Sequence, residues 1–450
     1  GLCFNLIKNM YENTEICIKN GNVFSDKFVA NVGVKQGCVL SPTLFKLYVD
    51  DLPSIFDINK CEPPALFHKY INCLLFADDL ILLSESKTGL QNSLNLLKNY
   101  CDKWHLYVNI QKTNIIVFNK SGKIIKNCNF TFGDKNISIV KNYVYLGILF
   151  DASGSYKSAV KLLREKGDKV IYKIRNMIGH HSLDVKTNLK LFNSLVKPIL
   201  LYGSEIWGST IFRGSTILDI NEGKSGLYDT FHCELTQNRM LRYILGVHRK
   251  STNIAVKGEL GVFPIFLDVL MNMVKNWMRI IDFDSDSLLY DSYLYALDEL
   301  RENNSNSWLY IIRHLCKICG FEEYWFNQRV KNKSLFLRSV KEKLHSIYVE
   351  QWKLDLYNDN RSKGGNKLRT YRLFKKSFDL EPYLFCIKNK AIRNKFCQVR
   401  ISAHNLCIES ERGIKEPCER LCKLCKSDVE NEIHFITDCH FYCLERERLY

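Results

Sequence analysis

The sequence feature that most constrains the fold is a pair of adjacent carboxylates, Asp78 and Asp79, in the middle of an apolar run. Residues 71–83 read Ile-Asn-Cys-Leu-Leu-Phe-Ala-Asp-Asp-Leu-Ile-Leu-Leu, which predicts a buried pair of strands rather than a surface helix. Two carboxylates inside such a hairpin would lose their hydration, and a divalent cation is the simplest compensation. The alternative is a tight turn that leaves both acids in solvent.

The composition favours a polyanionic partner. Lys and Arg total 64 against 48 Asp and Glu, which gives the 450-residue chain a formal net charge of +16. An excess of this size is typical of proteins that bind nucleic acid, and a membrane surface is the alternative. The sequence has no uninterrupted apolar span of transmembrane length and no signal peptide. We therefore expect no membrane partner.

The 18 cysteines are scattered singly through a large basic chain, unlike a secreted disulfide framework. Most are expected to be reduced core residues of an intracellular protein, nuclear or cytoplasmic and not secreted. The exceptions lie near the C-terminus, where cysteine and histidine fall at metal-ligand spacing.

Turn and cap residues place the first elements. The signal Asn20-Gly21-Asn22 predicts a hairpin over Glu15–Val34. Ser41 and Pro42 predict the N-cap and first position of a helix that continues through Asp51. The remaining predicted elements are a helix over Gly89–Trp104, strands at residues 106–109, 115–118 and 143–150, and mainly helices from about Ser155 to Leu380, with breaks near Gly179 and Pro198.

A second aromatic-x-Asp-Asp sequence, Tyr48 to Asp51, repeats the form of the first. It falls at the predicted end of a helix, where carboxylates oppose the helix dipole but are readily hydrated. We therefore interpret Asp50 and Asp51 as surface residues rather than metal ligands.

Two basic segments are candidate nucleic-acid contacts. The segment nearer the C-terminus, Arg361–Ser377, has no acidic residue and carries interleaved aromatic residues, a composition that suits binding of single-stranded nucleic acid. A flexible linker is the competing interpretation because the segment contains Gly364 and Gly365. The first segment, a helix that could follow phosphates or form a solvated face, carries Lys161, Arg164, Lys166, Lys169, Lys173 and Arg175.

In their order, the motifs of the first third of the chain resemble those of reverse transcriptases from non-LTR (LINE-type) retrotransposons. The motifs are Gly-x-x-Gln-Gly-x-x-Leu-Ser-Pro at Gly33 to Pro42, Phe-Ala-Asp-Asp at Phe76 to Asp79, Asn-x-x-Lys-Thr at Asn109 to Thr113, and Tyr-Leu-Gly at Tyr145 to Gly147. Each motif alone is weak, but the ordered set is specific. The resemblance covers roughly residues 1–150, and residues 195–203 and 258–261 look like the family's segment beyond the polymerase core.

The resemblance implies an α+β fold. It consists of a right-hand polymerase palm, an antiparallel sheet with helices, followed by a mostly helical thumb and C-terminal extension with a small zinc-binding tail. The implied domains are a palm with partial fingers over residues 1–150, a thumb-like helical region over 151–210, a helical linker or nucleic-acid-binding extension over 211–414, and a zinc tail over 415–450.

The resemblance also implies substrates and binding residues. The substrates are an RNA template, a DNA primer or target DNA, and deoxynucleoside triphosphates. Gln36 and Gly37 would line the template and incoming nucleotide, and Lys112 would lie near the triphosphate. Leu146 and Gly147 would lie in the loop that grips the primer end.

The catalytic centre of this family uses two Mg²⁺ ions held by carboxylates. By resemblance, Asp78 is the main ligand and Asp79 its less direct partner. The family's other indispensable aspartate lies on a strand several dozen residues before the Gln-Gly stretch, and Asp26 lies too close to Gly33 to replace it. We therefore expect the chain to be an N-terminally truncated piece that lacks this strand and the family's endonuclease domain, and that does not polymerise alone.

The second strong motif is Cys422-x2-Cys425-x8-His434-x4-Cys439. Thiolates and an imidazole at this spacing are typical of a closed tetrahedral zinc site, and the same element closes many LINE-type proteins. Four protein ligands leave no open position, so the site is expected to fold the tail rather than to catalyse. Nearby residues that could replace a ligand are Cys407, Cys418, His440 and Cys443.

Three other motifs fail. Gly223-Lys224-Ser225 lacks the upstream glycine of a phosphate-binding loop, and His314-x-Cys316-x2-Cys319 lacks a fourth ligand and is expected in the core. His180-His181 is interpreted as a loop pair.

The functions left open are an RNA-directed DNA polymerase fragment and a catalytically inactive remnant that binds nucleic acid. A group II intron maturase-like splicing factor is a remote third, against which the zinc tail argues.

Overall fold

The computed structural model describes residues 1–12, 14–29, 33–125, 128–178, 183–210, 231–301, 307–357 and 367–448. The chain divides into two compact units. Unit 1 comprises residues 1–117 and 124–140, and unit 2 comprises residues 118–123 and 141–450. Short strands and helices in the first unit and mainly helices in the second confirm the predicted α+β class. The predicted division into a palm, a thumb-like region, an extension and a tail stays a prediction.

Unit 1 combines short strands with a few helices. The helices are α1 (Leu2–Tyr11), α2 (Ser41–Tyr48), α3 (Ile58–Cys61) and α4 (Lys87–Lys103). The strands are β1 (Glu15–Ile16), β2 (Lys19–Asn20), β3 (Val23–Phe24), β4 (Phe28–Val29), β5 (Ala65–Leu66), β6 (Lys69–Tyr70), β7 (Cys73–Phe76), β8 (Asp79–Leu82), β9 (Asn114–Ile115), β10 (Phe130–Phe132) and β11 (Lys135–Ile139).

Most of these strands pair as antiparallel hairpins. Strand β2 pairs with β3 across the turn at Gly21 and Asn22, and β1 pairs with β4 outside it, which confirms the predicted hairpin over its described residues. Gly21 has a φ of 62°, the left-handed conformation that glycine adopts without strain. Strands β5 and β6 form a second hairpin and β7 and β8 a third, while β11 pairs antiparallel with β10 and parallel with β9.

The core of unit 1 lies along α4. Its apolar face, Leu94, Leu97, Tyr100 and Cys101, is buried in one cluster with residues of β9–β11 and of the segment around α3. The Ser86 hydroxyl caps the helix by accepting a hydrogen bond from the Gly89 amide at 2.9 Å. This helix therefore begins two residues before the predicted Gly89 and ends one before Trp104.

Three local predictions in unit 1 are wrong, and a fourth is only partly right. Ser41 is the first residue of α2 and not its cap, because its hydroxyl donates to the Lys35 carbonyl at 2.6 Å. The helix also ends at Tyr48, before the predicted Asp51, and a 3₁₀ turn, Leu52–Ile55, follows it. The strand predicted at 106–109 is absent from this described segment, and the next strand is limited to β9.

Unit 2 begins with a hairpin and continues in helices. The hairpin strands are β12 (Asn142–Tyr145) and β13 (Ile148–Asp151). The helices are α5 (Lys157–Ile178), α6 (Val185–Leu191), α7 (Lys197–Leu200), α8 (Ser204–Trp207), α9 (His232–Leu245), α10 (Asn253–Leu260), α11 (Ile265–Ile280), α12 (Leu288–Arg301), α13 (Trp308–Cys319), α14 (Glu322–Asn327), α15 (Lys333–Tyr357), α16 (Tyr371–Phe374), α17 (Tyr383–Cys386), α18 (Lys390–Arg400), α19 (Cys407–Ser410) and α20 (Cys443–Glu447).

The core of unit 2 is organised around α11. Eleven of its sixteen residues are buried, including Trp277, whose ring stacks on Trp325 of α14 at a centroid distance of 6.1 Å. A helix apolar on most of its circumference must be enclosed by other helices. Helices α8, α9, α12, α13 and α15 pack on it, so this part of the chain forms one continuous core.

The chain passes Pro198 without the predicted break. A π-helical turn, Phe192–Val196, joins α6 directly to α7, in which Pro198 is the second residue. Proline has no amide hydrogen to donate into the preceding turn, and a widened turn accommodates that loss. The break predicted near Gly179 lies outside the described residues. In the part of the chain that the structure describes, no helix combines the length and the apolar character needed to cross a membrane.

Candidate functional site

Asp78 lies in the turn between β7 and β8, and Asp79 is the first residue of β8. Phe76 pairs with Asp79 in the ladder, so Ala77 and Asp78 form a two-residue loop. Ala77 has a φ of 53°, in the left-handed region that residues with a Cβ rarely adopt. The predicted strand pair is confirmed, and both carboxylates lie at its turn end, Asp78 in the loop and Asp79 beside it.

The predicted burial of these carboxylates is wrong. Asp78 and Asp79 are exposed, and Phe76 beside them is 61% exposed. Within the described residues, β7 and β8 pair only with each other, and a two-stranded ribbon has too few neighbours to bury both of its faces. The alternative interpretation, a tight turn with both acids in solvent, is the one that the structure has. Solvent-facing carboxylates remain available to a hydrated cation.

No third metal-ligating side chain joins this pair among the described residues. The second acidic pair, Asp50 and Asp51, is exposed as predicted. Asp51 has a structural partner, because its carboxylate accepts a hydrogen bond from the Tyr100 hydroxyl. Burial of Tyr100 and this hydrogen bond raise the pKa of the phenol.

Gln36 and Gly37 occupy an exposed turn just before α2. The Cys38 amide donates to the Lys35 carbonyl at 3.2 Å, and Gly37, at the third position of this turn, has a φ of 80°. A β-turn with positive φ at this position favours glycine. A Cβ on Gly37 would meet no atom within 4 Å, so its backbone is open to a ligand.

Lys112 lies in a turn that begins at Asn109. The Lys112 amide donates to both the carbonyl and the side-chain oxygen of Asn109, at 3.1 and 3.3 Å. Its side chain is exposed. Gln36, Gly37, Lys112 and the Asp78–Asp79 turn therefore all lie on exposed turns of unit 1.

Leu146 and Gly147 form the turn of the β12–β13 hairpin in unit 2, where one continuous strand was predicted. Both have positive φ, 45° and 81°, as the twist of a two-residue hairpin requires. The Tyr202 hydroxyl donates to the Leu146 carbonyl at 2.7 Å, and a Cβ on Gly147 would lie 2.9 Å from the Tyr202 ring. Tyr202 thus supports this turn. This role was not predicted from the sequence, because Tyr202 lies far from the turn along the chain.

The basic helix predicted after Ser155 is α5. Lys161, Lys166, Lys169 and Lys173 are exposed. Arg164 instead lies against Asp168, with an Nε–Oδ2 distance of 3.6 Å, and Asp168 is also paired with Arg239 of α9. The helix therefore presents a row of lysines to solvent, and its contact with phosphates stays a prediction.

The four predicted metal ligands of the tail come together. One ligand atom from each of Cys422, Cys425, His434 and Cys439 can be chosen so that all lie within 4.8 Å of one another. The Cys425 Sγ and His434 Nε2 atoms are 3.3 Å apart. In a tetrahedral zinc site a sulfur and a nitrogen ligand are separated by about 3.6 Å, so the arrangement fits Zn²⁺. This is the only such group in the described parts of the chain, and the nearby alternatives, Cys407, Cys418, His440 and Cys443, are not part of it.

The local fold explains why the ligands converge. The Cys422 amide donates to the Asp428 carbonyl, and Lys426, with a φ of 58°, turns the chain between them. The Ser427 hydroxyl donates to the Cys425 sulfur at 3.1 Å and lowers the pKa of that thiol to about 6, which favours the metal-binding thiolate.

A buried ionic network joins the tail to the basic stretch. Arg369 donates from Nη1 to Glu409 at 2.7 Å and from Nη2 to both oxygens of Glu432 at 2.8 and 2.9 Å. Glu432 also accepts hydrogen bonds from Ser402 and His404. Burial alone would raise the pKa of Glu432, but the His404 hydrogen bond and the Arg369 charge outweigh it and lower the pKa to about 2. We call Arg369, Glu409 and Glu432 the tail clamp.

The tail clamp changes the interpretation of the basic stretch. Arg361, Lys363 and the two glycines lie outside the described residues, but Lys375 is 1% exposed and pairs with Glu381 and Asp379. The charges of Arg369 and Lys375 are therefore paired with carboxylates inside the fold. The prediction that the whole stretch binds single-stranded nucleic acid is wrong for these two cations.

The rejected motifs add no site. Cys316 and Cys319 lie buried in α13, where burial raises their pKa values to about 12 and about 11, and with His314 they form no metal-ligand group among the described residues. The segments Gly223–Ser225 and His180–His181 lie outside the described residues.

The first part of the chain matches a known family model and several curated proteins. Residues 3–150 match the family model described as "Reverse transcriptase (RNA-dependent DNA polymerase)". Among curated relatives, the "RNA-directed DNA polymerase from mobile element jockey" of Drosophila funebris is 26% identical over 214 residues, 46% of this chain and 22% of the relative. The "Probable RNA-directed DNA polymerase from transposon BS" of Drosophila melanogaster is 27% identical over 213 residues, 46% of this chain and 23% of the relative.

A third relative comes from another element. The "Retrovirus-related Pol polyprotein from type-2 retrotransposable element R2DM" of Drosophila melanogaster is 31% identical over 159 residues, 33% of this chain and 14% of the relative. The chain thus spans about a quarter or less of the length of these relatives.

Proposed function

We propose, on the premise that residues 3–150 match the reverse transcriptase family model, that this chain belongs to an RNA-directed DNA polymerase of the non-LTR retrotransposon type. The proposed substrates are an RNA template, a DNA primer or target DNA, and deoxynucleoside triphosphates. The observation that supports the proposal most strongly is that the family match includes a tight hairpin turn carrying two solvent-accessible carboxylates.

The reaction is nucleotidyl transfer. The 3′ oxygen of the primer bonds to the α-phosphorus of the nucleotide, the bond from that phosphorus to the bridging oxygen breaks, pyrophosphate leaves, and the hydroxyl proton passes to solvent. Two Mg²⁺ ions, when bound, would stabilise the charge on the attacking and leaving oxygens. Asp78 and Asp79 are the proposed ligands, with Asp78 the principal one.

The remaining residues have proposed binding roles. Gln36 and the open backbone at Gly37 line the template and incoming nucleotide, and the Lys112 ammonium neutralises the triphosphate. Leu146 and Gly147 support the primer end. Because no third ligand joins Asp78 and Asp79 among the described residues, we expect a further carboxylate to complete the metal site.

Cys422, Cys425, His434 and Cys439 are proposed to hold one structural Zn²⁺. The donor set of three thiolates and an imidazole suits this metal, and its four ligands leave no position for a substrate. The site would fix the tail rather than take part in nucleotidyl transfer.

Primer extension on an RNA template with Mg²⁺ tests the polymerase. The assay compares this chain with a version extended upstream to include the family's earlier aspartate strand. In the extended protein, Asp78→Asn should reduce extension by at least about 100-fold, as expected when a first ligand of a catalytic metal is lost. The matched control is Asp50→Asn, which removes an exposed carboxylate from the similar sequence at the end of α2 and should leave extension unchanged.

A second candidate function is nucleic-acid binding without catalysis. The incomplete ligand set at Asp78 and the exposed lysines of α5 favour it. An extended protein that binds RNA but shows no Asp78-dependent extension would support this function and reject the polymerase.

A further inference from the structure

Cations and aromatic rings from four separate segments meet on one surface of unit 2. They come from the end of α5, the start of α6, the end of α9 and the segment from α17 to α18. We call this the cation–aromatic surface. It consists of the ring contacts of Arg175 and Lys390 with Tyr243 and of Lys186 with Phe385, together with Lys388, which is exposed in the short segment between Phe385 and Lys390.

Ring contacts hold these segments together. The Arg175 guanidinium carbon lies 4.1 Å from the centroid of the Tyr243 ring, and the Lys390 Nζ atom lies 5.8 Å from the same centroid. The Lys186 Nζ atom lies 4.6 Å from the centroid of the Phe385 ring. Cations at these distances interact favourably with the ring face. Phe385 is 38% exposed, so its ring remains accessible beside the cation.

The surface carries positive charge that the fold does not neutralise. Within the described residues, Arg175, Lys186, Lys388 and Lys390 have no carboxylate within ion-pair distance, in contrast to Arg369 and Lys375. The Arg175 Nε atom is buried and has no hydrogen-bond partner.

The nearby acids are already engaged. Asp168 pairs with two other arginines, Arg164 and Arg239. Asp184, the residue that caps α6, accepts hydrogen bonds from both the amide and the hydroxyl of Thr187. Two like charges beside the Tyr243 ring repel each other, and a bound anion would relieve that repulsion.

The combination of groups favours one class of anion. A chain of phosphodiesters places negative charges at regular spacing, and each nucleotide offers a base that stacks on an exposed ring. Tyr172, one turn before Arg175 on α5, adds a ring that is 67% exposed. We propose that the cation–aromatic surface binds single-stranded nucleic acid, with phosphates on the four cations and a base on Phe385. This binding lies in unit 2 and does not depend on metal-ion catalysis at Asp78.

The test uses the whole chain and a fluorescein-labelled single-stranded RNA of mixed sequence, about 20 nucleotides long to exceed the usual site size. Binding is followed by fluorescence anisotropy from about 50 to 300 mM KCl. In Lys186→Gln/Lys388→Gln/Lys390→Gln, the slope of log Kd against log salt should fall by about 2, since each single-strand phosphate contact contributes about 0.7. The affinity at the lowest salt should fall about tenfold or more.

The matched control removes the same charge elsewhere in unit 2. Lys317, Lys331 and Lys353 are exposed and likewise have no ion pair among the described residues. Their triple Gln variant should keep the wild-type salt slope. Neither triple variant breaks an ion pair, and the first loses only two lysine–ring contacts, each of which contributes little to stability at an exposed position. Both should therefore fold, which circular dichroism checks.

A charge-neutral variant tests stacking separately. Phe385→Leu keeps every cation and removes the ring, and it should weaken RNA binding by about fivefold or more with an unchanged salt slope. RNA binding is measured without Mg²⁺ or nucleotides and primer extension is assayed separately, so failure of the polymerase proposal is distinguishable from failure of this one. An equal slope change in both triple variants, or binding of an acidic peptide but not of RNA, would overturn the proposal.

Discussion

The tail clamp makes a specific prediction about stability. Arg369→Met keeps most of the side-chain volume and removes the guanidinium that contacts both buried carboxylates of the clamp. The Glu432 side chain in the tail is 1% exposed, and the side chain of Glu409, which precedes the tail, is 5% exposed. The substitution therefore leaves two buried negative charges without their shared cation.

The expected loss follows from the contacts. Arg369 makes three charge-assisted hydrogen bonds, and removing one partner of a buried ion pair destabilises a protein by about 3 to 5 kcal/mol. The lower end applies, because other donors remain on both carboxylates. Those donors are Thr370, Ser402 and His404 on Glu432, and Arg412 on Glu409. We therefore expect the free energy of unfolding to fall by about 3 kcal/mol.

Urea denaturation of zinc-saturated protein at pH 7 measures this loss. Five of the six tryptophans lie in unit 2, so fluorescence reports mainly on the unit that contains the clamp. Arg313→Met, on the exposed side of α13, is the matched control and should change the unfolding free energy by less than about 0.5 kcal/mol. Adding Glu432→Gln to Arg369→Met should restore part of the loss, since it removes an uncompensated charge. A loss below about 1 kcal/mol for Arg369→Met would refute a buried clamp.

Three further predictions concern single sites. Cys425→Ser should lower the bound zinc by about one equivalent in a metal analysis, and an unchanged metal content would exclude this ligand set. Gly147→Val should destabilise the β12–β13 turn by about 1 to 3 kcal/mol, because Gly147 has a φ of 81° and the new Cβ would meet the Tyr202 ring. Gly154→Val is the control, since Gly154 also has a positive φ but lies in open space. Equal losses of stability in the two variants would contradict the contact with Tyr202. Hydrogen bonds from the Ser153 hydroxyl and amide lower the pKa of the buried Asp151 carboxyl. The ionised carboxylate therefore stabilises the native state at pH values above the ordinary pKa of aspartate, and this stabilisation is lost as the pH falls through the lowered pKa of the folded protein. The destabilisation by Asp151→Asn, measured by urea titration, should therefore be largest near neutral pH and shrink in acid; a constant difference from pH 7 to about pH 3 would contradict it.

Local features were predictable from the sequence because their causes are local. The Gly21 turn, the amphipathic face of α4 and the hairpin around Asp78 each depend on residues a few positions apart. The same holds for the tail, where the motif spacing itself brings Cys422 and Cys425 near His434. The order of the motifs carried the resemblance to reverse transcriptases, and residues 3–150 match that family's model.

Features that depend on distant partners were not predictable. The basic stretch suggested a free cationic surface, yet Arg369 finds a carboxylate 63 positions away. The apolar run around Asp78 suggested burial, but burial requires neighbouring strands, and hydrophobicity alone does not supply them. The support of Leu146 by Tyr202, 56 positions later, has no local signal at all.

The turn at Ala77 has a consequence for how the two carboxylates respond to their surroundings. An alanine held in the left-handed region stores about 1 to 2 kcal/mol of backbone strain, whereas glycine would relax it and widen the range of conformations open to the loop. The Ala77 methyl group thus lowers the stability of the turn but restricts its backbone conformations. The side chains of Asp78 and Asp79 therefore sample fewer orientations before a cation binds. A turn stiffened in this way loses less conformational entropy when it captures an ion, so a given set of metal contacts yields a higher affinity.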